Sequence, residues 1–327
     1  MIKNKWYAIL SSSEIKNGQL LGVKRLGENY VLYRDKDGKI SCFADKCAHR
    51  GAALSKGWKK ENDCIVCPFH GIEYDKTGKC VHIPSEGKNS EKDFSKFNLK
   101  KYYAEEKNNI VYFWNGEGEP TEEIDYFEMD YENMVYSEIC DHWKVHYSRV
   151  IENQLDVSHL PFVHYNTIGK GNKTLVNGPK VIWIDENTLQ TSANNQVDEG
   201  QKPLKASESK IKSTNIQFKF PNTWLNTVNE NLKIMAYFVP VDDDNTLLYI
   251  RFYNKITKSK GINKLIAWFG KFANKKIERQ DKVVVETQTP NYTSFKMDEK
   301  LLQADRPIIE YRKHREFLKN NLEENEK

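Results

Sequence analysis

Cys47-Ala48-His49-Arg50-Gly51 and Cys67-Pro68-Phe69-His70-Gly71 decide how the first third of this 327-residue chain folds. Seventeen residues separate His49 from Cys67. Each stretch carries one Cys and one His two or three residues apart, and a glycine straight after the His or one residue further on. Two thiolates and two neutral imidazoles suit a [2Fe–2S] cluster in which one iron takes the sulfurs and the other the nitrogens. Imidazole in place of thiolate lowers the negative charge and raises the reduction potential. The glycines let the backbone turn tightly against such a cluster. Ordinary packing of four such residues is a poor alternative, because the chain has only 8 His. A structural zinc site accepts the same ligands, but zinc fingers pair Cys with Cys and His with His, whereas each loop here carries one of each.

Outward from these loops the pattern is β. Tyr30–Arg34 and Ile40–Phe43 flank Asp35-Lys36-Asp37-Gly38, and 72–75 and 80–83 flank Lys76-Thr77-Gly78-Lys79; both read as hairpins. Ile110–Trp114 is a further strand. The breaker-rich run Asn115-Gly116-Glu117-Gly118-Glu119-Pro120 reads as a linker. The expected division is a β domain over 1–115 and a second domain over 116–327. In the second, 141–160 reads as helix, while 181–192, 215–220, 224–229, 232–239 and 246–254 read as strands of an antiparallel sheet. Residues 259–287 read as a long helical stretch with Leu265, Ile266, Phe269 and Phe272 near helical spacing. The tail 312–327 reads as a helix. Cys42, Cys64, Cys80 and Cys140 are expected to pack as small apolar residues.

A second chemical signal is Glu152-Asn153-Gln154-Leu155-Asp156-Val157-Ser158-His159-Leu160-Pro161-Phe162-Val163-His164. Spacing by three places Asn153, Asp156 and His159 on one flank of a helix. Pro161 is expected to end that helix and let His164 fold back towards His159. Two His and one carboxylate on one face of Fe(II) leave positions open for dioxygen and substrate. The carboxylate is expected from Ile277-Glu278-Arg279-Gln280-Asp281-Lys282-Val283-Val284-Val285-Glu286. Ile277, Asp281, Val284 and Gln288 recur at i, i+4, i+7 and i+11, which puts Asp281 on an apolar stripe. A lone acid there is costly unless paired or bound to metal. A solvated acid at the edge of an amphipathic helix is the plain alternative, and Glu278 and Glu286 are rival ligands.

Composition narrows the function further. Fifty basic and 46 acidic residues give a net charge of +4, which does not fit a nucleic-acid binder with a concentrated basic face. No run approaches the length needed to span a bilayer, and the apolar stretch Trp6–Leu10 is too short for a signal peptide; a cytoplasmic location is expected. The basic stretch Lys258–Lys276, with Trp268, Phe269 and Phe272, fits a helix packed on the second domain with its lysines in water. It also fits a surface for a reductase or a membrane. No G-x-G-x-x-G nucleotide fingerprint is present.

The order CAHRG, CPFHG and then ENQLDVSHLPFVH resembles the α subunits of Rieske non-haem iron oxygenases, in particular the aryl O-demethylase and pheophorbide a oxygenase-like group. The resemblance covers nearly the whole chain. It implies an α+β architecture: an N-terminal all-β Rieske [2Fe–2S] domain and a C-terminal catalytic domain with a helix-covered antiparallel sheet. It assigns Cys47, His49, Cys67 and His70 to the cluster and His159, His164 and Asp281 to a mononuclear iron. Asp156 matches the family's bridging aspartate, which accepts from His159 and from His70 of a neighbouring subunit, and Asn153 a polar residue beside the iron. Ile72 departs from the pattern, since many members carry an aromatic residue after the His-Gly. The resemblance also implies a homotrimer and a separate NAD(P)H-dependent reductase, directly or through a ferredoxin. The expected reaction uses O2 to hydroxylate or demethylate a small cyclic or aromatic substrate, the chain length leaning away from cis-dihydroxylation. A Rieske electron carrier and a zinc-stabilised binding module are the alternatives from other classes; a carrier has no use for the second His pair.

Overall fold

The computed structural model describes residues 1–323. It contains two compact units, Asn4–Ile124 and Asp125 onward together with Met1–Lys3. The expected division at 115/116 thus differs from the structure by nine residues. The breaker-rich run stays with the first unit because its backbone is tied there. Asn4 donates to the Asn115 carbonyl at 2.8 Å and Asn115 to that of Lys5 at 3.0 Å. Lys5 pairs with Glu122 at 2.7 Å, and the Trp6 indole donates to the Glu122 carbonyl.

The first unit is built of small antiparallel sheets. In one, Trp6–Ser11 pairs with Ile110–Trp114, which pairs with Ala104–Lys107. In another, Glu28–Arg34 lies between Leu21–Arg25 and Ile40–Ala44. The third carries the Cys/His loops and has the order Trp58–Lys59, Ile65–Val66, Glu73–Tyr74, Cys80–His82. The two expected hairpins close by one device. Asp35 Oδ1 accepts from the backbone N–H groups of Asp37 and Lys39, and Asp75 Oδ1 from those of Thr77 and Lys79. A side chain that satisfies the turn's own donors fixes the register of both strands. The core beneath the loops comprises Val31, Tyr33, Phe43, Leu54, Ile65, Ile72 and Tyr74, with Cys47 and Cys67 part of it. Ile72 fills this core at 2% exposure. Cys42, Cys64 and Cys80 are buried as expected, but Cys140 is exposed.

The second unit has one seven-stranded antiparallel sheet. Its strands are β1 (Val135–Trp143), β2 (Val181–Asp185), β3 (Thr188–Thr191), β4 (Asn215–Lys219), β5 (Thr223–Asn229), β6 (Leu232–Pro240) and β7 (Thr246–Asn254). Their spatial order is β1-β7-β6-β5-β4-β3-β2. Residues 141–143, expected to be helical, are the end of β1, and α1 begins only at Tyr147 (Tyr147–Leu155). Here full pairing of β1 with β7 along nine residues overrides the local pattern. The stretch 259–287 forms one helix, α3 (Lys260–Val285), which packs on β1 and β7. A short helix α2 (Leu160–Val163) and a C-terminal helix α4 (Arg306–Glu323) complete the unit. The expected tail helix thus starts earlier, and its last four residues, 324–327, lie outside the described ones.

The helical reading of this stretch holds, and one expectation about which residues of α3 are buried is corrected. Leu265, Phe269 and Phe272 face solvent and Ile266 is half-buried, while Asn263, Ala267, Glu278, Asp281 and Val285 are buried. Val284 is exposed, so the buried stripe around Asp281 is Glu278–Asp281–Val285 and is itself partly acidic.

Candidate functional site

In the first unit the two Cys/His loops are near-copies in their hydrogen bonds. Cys47 N–H donates to the Ala52 carbonyl and Gly51 N–H to that of Cys47; Cys67 N–H donates to Ile72 and Gly71 N–H to Cys67. Closing each loop needs a left-handed residue, and Gly51 and Gly71 supply it at φ +74° and +70°. The loops bury both thiols and leave both imidazoles exposed at the tip. His49 Nδ1 and His70 Nδ1 lie 3.3 Å apart. Two neutral imidazoles aiming the same nitrogen at one point, above two buried thiols, form a donor set for a [2Fe–2S] cluster. The Tyr74 hydroxyl lies 3.1 Å from Cys47 Sγ and can donate to it. No pattern in the chain pointed to this contact, because it depends on a strand seven residues beyond the second loop's cysteine.

In the second unit α1 does not carry Asn153, Asp156 and His159 on one flank. The helix ends at Leu155, Asp156 is its extended C-cap, and a turn leads to His159, which caps α2. Asp156 closes that turn: its Oδ1 accepts from the Ser158 N–H and Oγ, both at 2.6 Å. Pro161 does not end a helix but sits in the first turn of α2, where its missing N–H costs nothing. The short helix then returns His164 towards His159, their rings 5.2 Å apart.

Asp281 reaches this pair from α3. Its Oδ1 lies 3.0 Å from His164 Nε2 and 3.4 Å from His159 Nε2, and the Asn153 side-chain amide donates to the same oxygen at 3.3 Å. His159, His164 and Asp281 are the one His/Cys/Asp/Glu group among the described residues whose ligand atoms, all within 4.8 Å of one another, could hold a metal ion. The rival acids point elsewhere. Glu278 accepts from the Trp143 indole at 2.6 Å, and Glu286 from the Lys144 N–H at 2.7 Å.

Hydrogen bonds around the site settle which nitrogens face the centre. Gln280 Nε2 donates to Asn166 Oδ1 at 3.0 Å, so its Oε1 is the atom turned to Thr167 Oγ1 and His164 Nδ1, each at 3.0 Å. His164 therefore carries a hydrogen on Nδ1. Burial lowers its pKa, but Asp281 and Gln280 raise it overall, so that a protonated ring pairs through Nε2–H with the carboxylate oxygen 3.0 Å away, whereas a neutral ring presents a bare lone pair there. Two acceptors at that distance repel unless a cation lies between them, which is what a metal would supply. His159 Nδ1 is buried without a hydrogen bond; Asp156 Oδ2 lies 3.5 Å from it, an electrostatic approach and not a formed bond. Burial alone would raise the Asp156 carboxyl, but His159 and Ser158 hold it below the usual range. Gln280 was not singled out from sequence, although it directly precedes Asp281. Beside His159 and Asp156 opens a cleft of about 640 Å³ that Phe162, Val176, Pro203 and Leu302 border.

Comparison with known proteins agrees with both halves. A model of the Rieske [2Fe–2S] domain matches residues 5–103, and one of the vanillate O-demethylase oxygenase C-terminal domain matches 143–320. The chain is 33% identical over 171 residues to the toluene-4-sulfonate monooxygenase system iron-sulfur subunit TsaM1 of Comamonas testosteroni, covering 51% of this chain and 48% of that one. It is 33% identical over 172 residues to the chloroplastic chlorophyllide a oxygenase of Chlamydomonas reinhardtii, covering 52% and 26%. The matched stretch thus spans half or less of these relatives' length. Among solved structures, NdmA of Pseudomonas putida CBB5 superimposes with a TM-score of 0.79 at 22% identity, over 98% of this chain and 92% of that one, which is a likeness of fold. No helix among the described residues is long and apolar enough to cross a membrane. With one model over its β unit and another over more than half its length, the chain belongs to the Rieske non-haem iron oxygenases.

Proposed function

We propose that this chain is the oxygenase component of a multi-protein system that hydroxylates or oxidatively demethylates a small cyclic or aromatic molecule with O2. The observation that carries this reading is the convergence of His159, His164 and Asp281 in a chain that also has the paired Cys/His loops. Cys47, His49, Cys67 and His70 are the proposed cluster ligands, and the three converging residues the proposed iron ligands. Iron held by two His and one carboxylate supplies reductive activation of dioxygen at its open positions. The chain's own part is orientation. Gln280 fixes the His164 ring, the Asn153 amide steadies the Asp281 carboxylate, and the Asp156 carboxylate favours the His159 tautomer with hydrogen on Nδ1. Electrons come from a separate NAD(P)H-dependent reductase, directly or through a ferredoxin. The working assembly is a cytoplasmic homotrimer in which His70 of one subunit meets Asp156 of the next. Demethylation or monooxygenation is favoured by the matching C-terminal model, described for a vanillate O-demethylase, and by the monooxygenase subunit among the relatives.

Iron analysis with product analysis tests this. The purified chain is expected to be red-brown, to hold about three irons, two in the cluster and one mononuclear, and to couple O2 uptake to product with a surrogate reductase. Asp281→Ala should lose the mononuclear iron and turnover while the cluster absorbance persists. Full iron content and turnover in that variant would remove Asp281 from the ligand set.

A further inference from the structure

Helix α3 buries one side against the sheet, and its opposite side is apolar and uncovered. Its inner side packs on β1 and β7 closely enough that a Cβ at Gly270 would lie 3.0 Å from the Phe252 ring. At about 100° per residue, Leu265, Phe269 and Phe272 fall opposite Asn263, Ala267 and Asp281. This outer side stands in solvent, with Trp268 52%, Phe269 60% and Phe272 55% exposed. The three rings form one ridge, Trp268 meeting Phe269 and Phe272 edge-on at centroid distances of 4.9 and 5.0 Å. Lys260, Lys264, Lys271 and Lys275 line one flank, and Lys276 lies among the apolar positions. Lys260–Lys276 contains five lysines and no acidic residue. Lys264, Lys271, Lys275 and Lys276 form no ion pair among the described residues.

We propose that this outer face of α3 docks the protein on an anionic lipid surface, with the aromatic ridge in the headgroup–acyl boundary and the lysines on the headgroups. Charge decides the occupant. A two-fold contact with a second copy would set the five lysines against the same five, and the homotrimer proposed above rests on a different contact, His70 of one subunit against Asp156 of the next. An anionic bilayer complements them and takes apolar edges without asking for directional partners, and the ridge offers none beyond one indole N–H. Large apolar and aromatic residues beside lysines on one helix are the composition of an interfacial helix. A shallow groove lined by Val163, Phe272, Lys275, Arg279 and Gln280 continues this face to the residue that orients His164. The docked face therefore adjoins the proposed iron site.

Co-sedimentation of the intact protein with sucrose-loaded vesicles tests the proposal without requiring turnover, so its outcome is independent of the proposed reaction. Binding is expected to vesicles of phosphatidylcholine mixed with phosphatidylglycerol, to be weak on phosphatidylcholine alone, and to fall with added salt. Replacing two lysines, as in Lys271→Glu with Lys275→Glu, should lower partitioning by roughly 30-fold or more. Trp268→Ala with Phe272→Ala should lower it by roughly tenfold or more, with cluster absorbance and far-ultraviolet dichroism unchanged. No binding to the mixed vesicles, or binding that the aromatic pair does not affect, overturns the proposal. So does a smaller assembly for the aromatic variant in solution, which would make the ridge a contact between copies. Loss of electron delivery from a reductase without any vesicle binding would assign the face to a protein partner and equally overturn it.

Discussion

Gln280 has one acceptor oxygen and two donors converging on it, His164 Nδ1 and Thr167 Oγ1. A leucine of similar volume would free the His164 ring to turn and to change tautomer. Gln280→Leu is expected to weaken mononuclear iron binding by about 10–100-fold, read as the chelator concentration that strips that iron while the cluster spectrum stays constant. Unchanged chelator resistance would show that packing alone orients the ring. Asp156 makes a different demand. Its Oδ1 is committed to the Ser158 turn and its Oδ2 is the atom nearest His159. Asp156→Asn keeps the turn's acceptor and removes the charge. Both metal centres and the oligomer are expected to assemble, while reoxidation of a pre-reduced cluster in a single turnover slows steeply. Reoxidation and product yield like those of the wild type would exclude Asp156 as the electron bridge.

Helix α1 is anchored by charge inside the protein. Arg312 of α4 donates to both Glu152 carboxylate oxygens, at 2.7 and 2.6 Å, and pairs with Glu299, which also pairs with Arg149 of α1. Removing one partner leaves a buried charge unmatched, so Arg312→Met is expected to cost about 3–5 kcal/mol in urea unfolding. Adding Glu152→Gln should recover part of that loss. Helix α3 carries a pH-dependent element. Burial, then the neighbouring Asp141, push the Glu278 carboxyl up to about 7. An acid whose folded value is raised holds its proton more tightly when folded. Its contribution to stability is complete below the ordinary range, near 4.5, and is lost as pH rises through about 7. Thermal scans between pH 5 and 8 should show the wild type losing stability over that window and Glu278→Gln losing less, since the amide can still accept from the Trp143 indole. Parallel pH profiles would show that Glu278 does not titrate there.

Across the whole molecule, the sequence was most legible where ligands are close along the chain. The two Cys/His loops and the His159–His164 pair are local, and their spacing is itself the geometry. The acid from α3 was harder to find, because the periodicity around it pointed to Val284 on the buried stripe, whereas that stripe holds Glu278 and Val285. The outward apolar ridge left two readings open for the same physical reason. Periodicity finds an apolar face and does not say whether the protein itself covers it. Strand β1 and the departure of Asp156 from helix were hidden because pairing with a distant strand and a side-chain cap at Ser158 outweigh local propensity. The contrast between local and distant ligands also has a consequence in time. As the chain leaves the ribosome, all four proposed cluster residues and the whole of Asn4–Ile124 have been made before the first histidine of the iron site exists. Asp281 is synthesised only 122 residues after that histidine. The two Cys/His loops can therefore close while the residues proposed to hold the mononuclear iron are still incomplete.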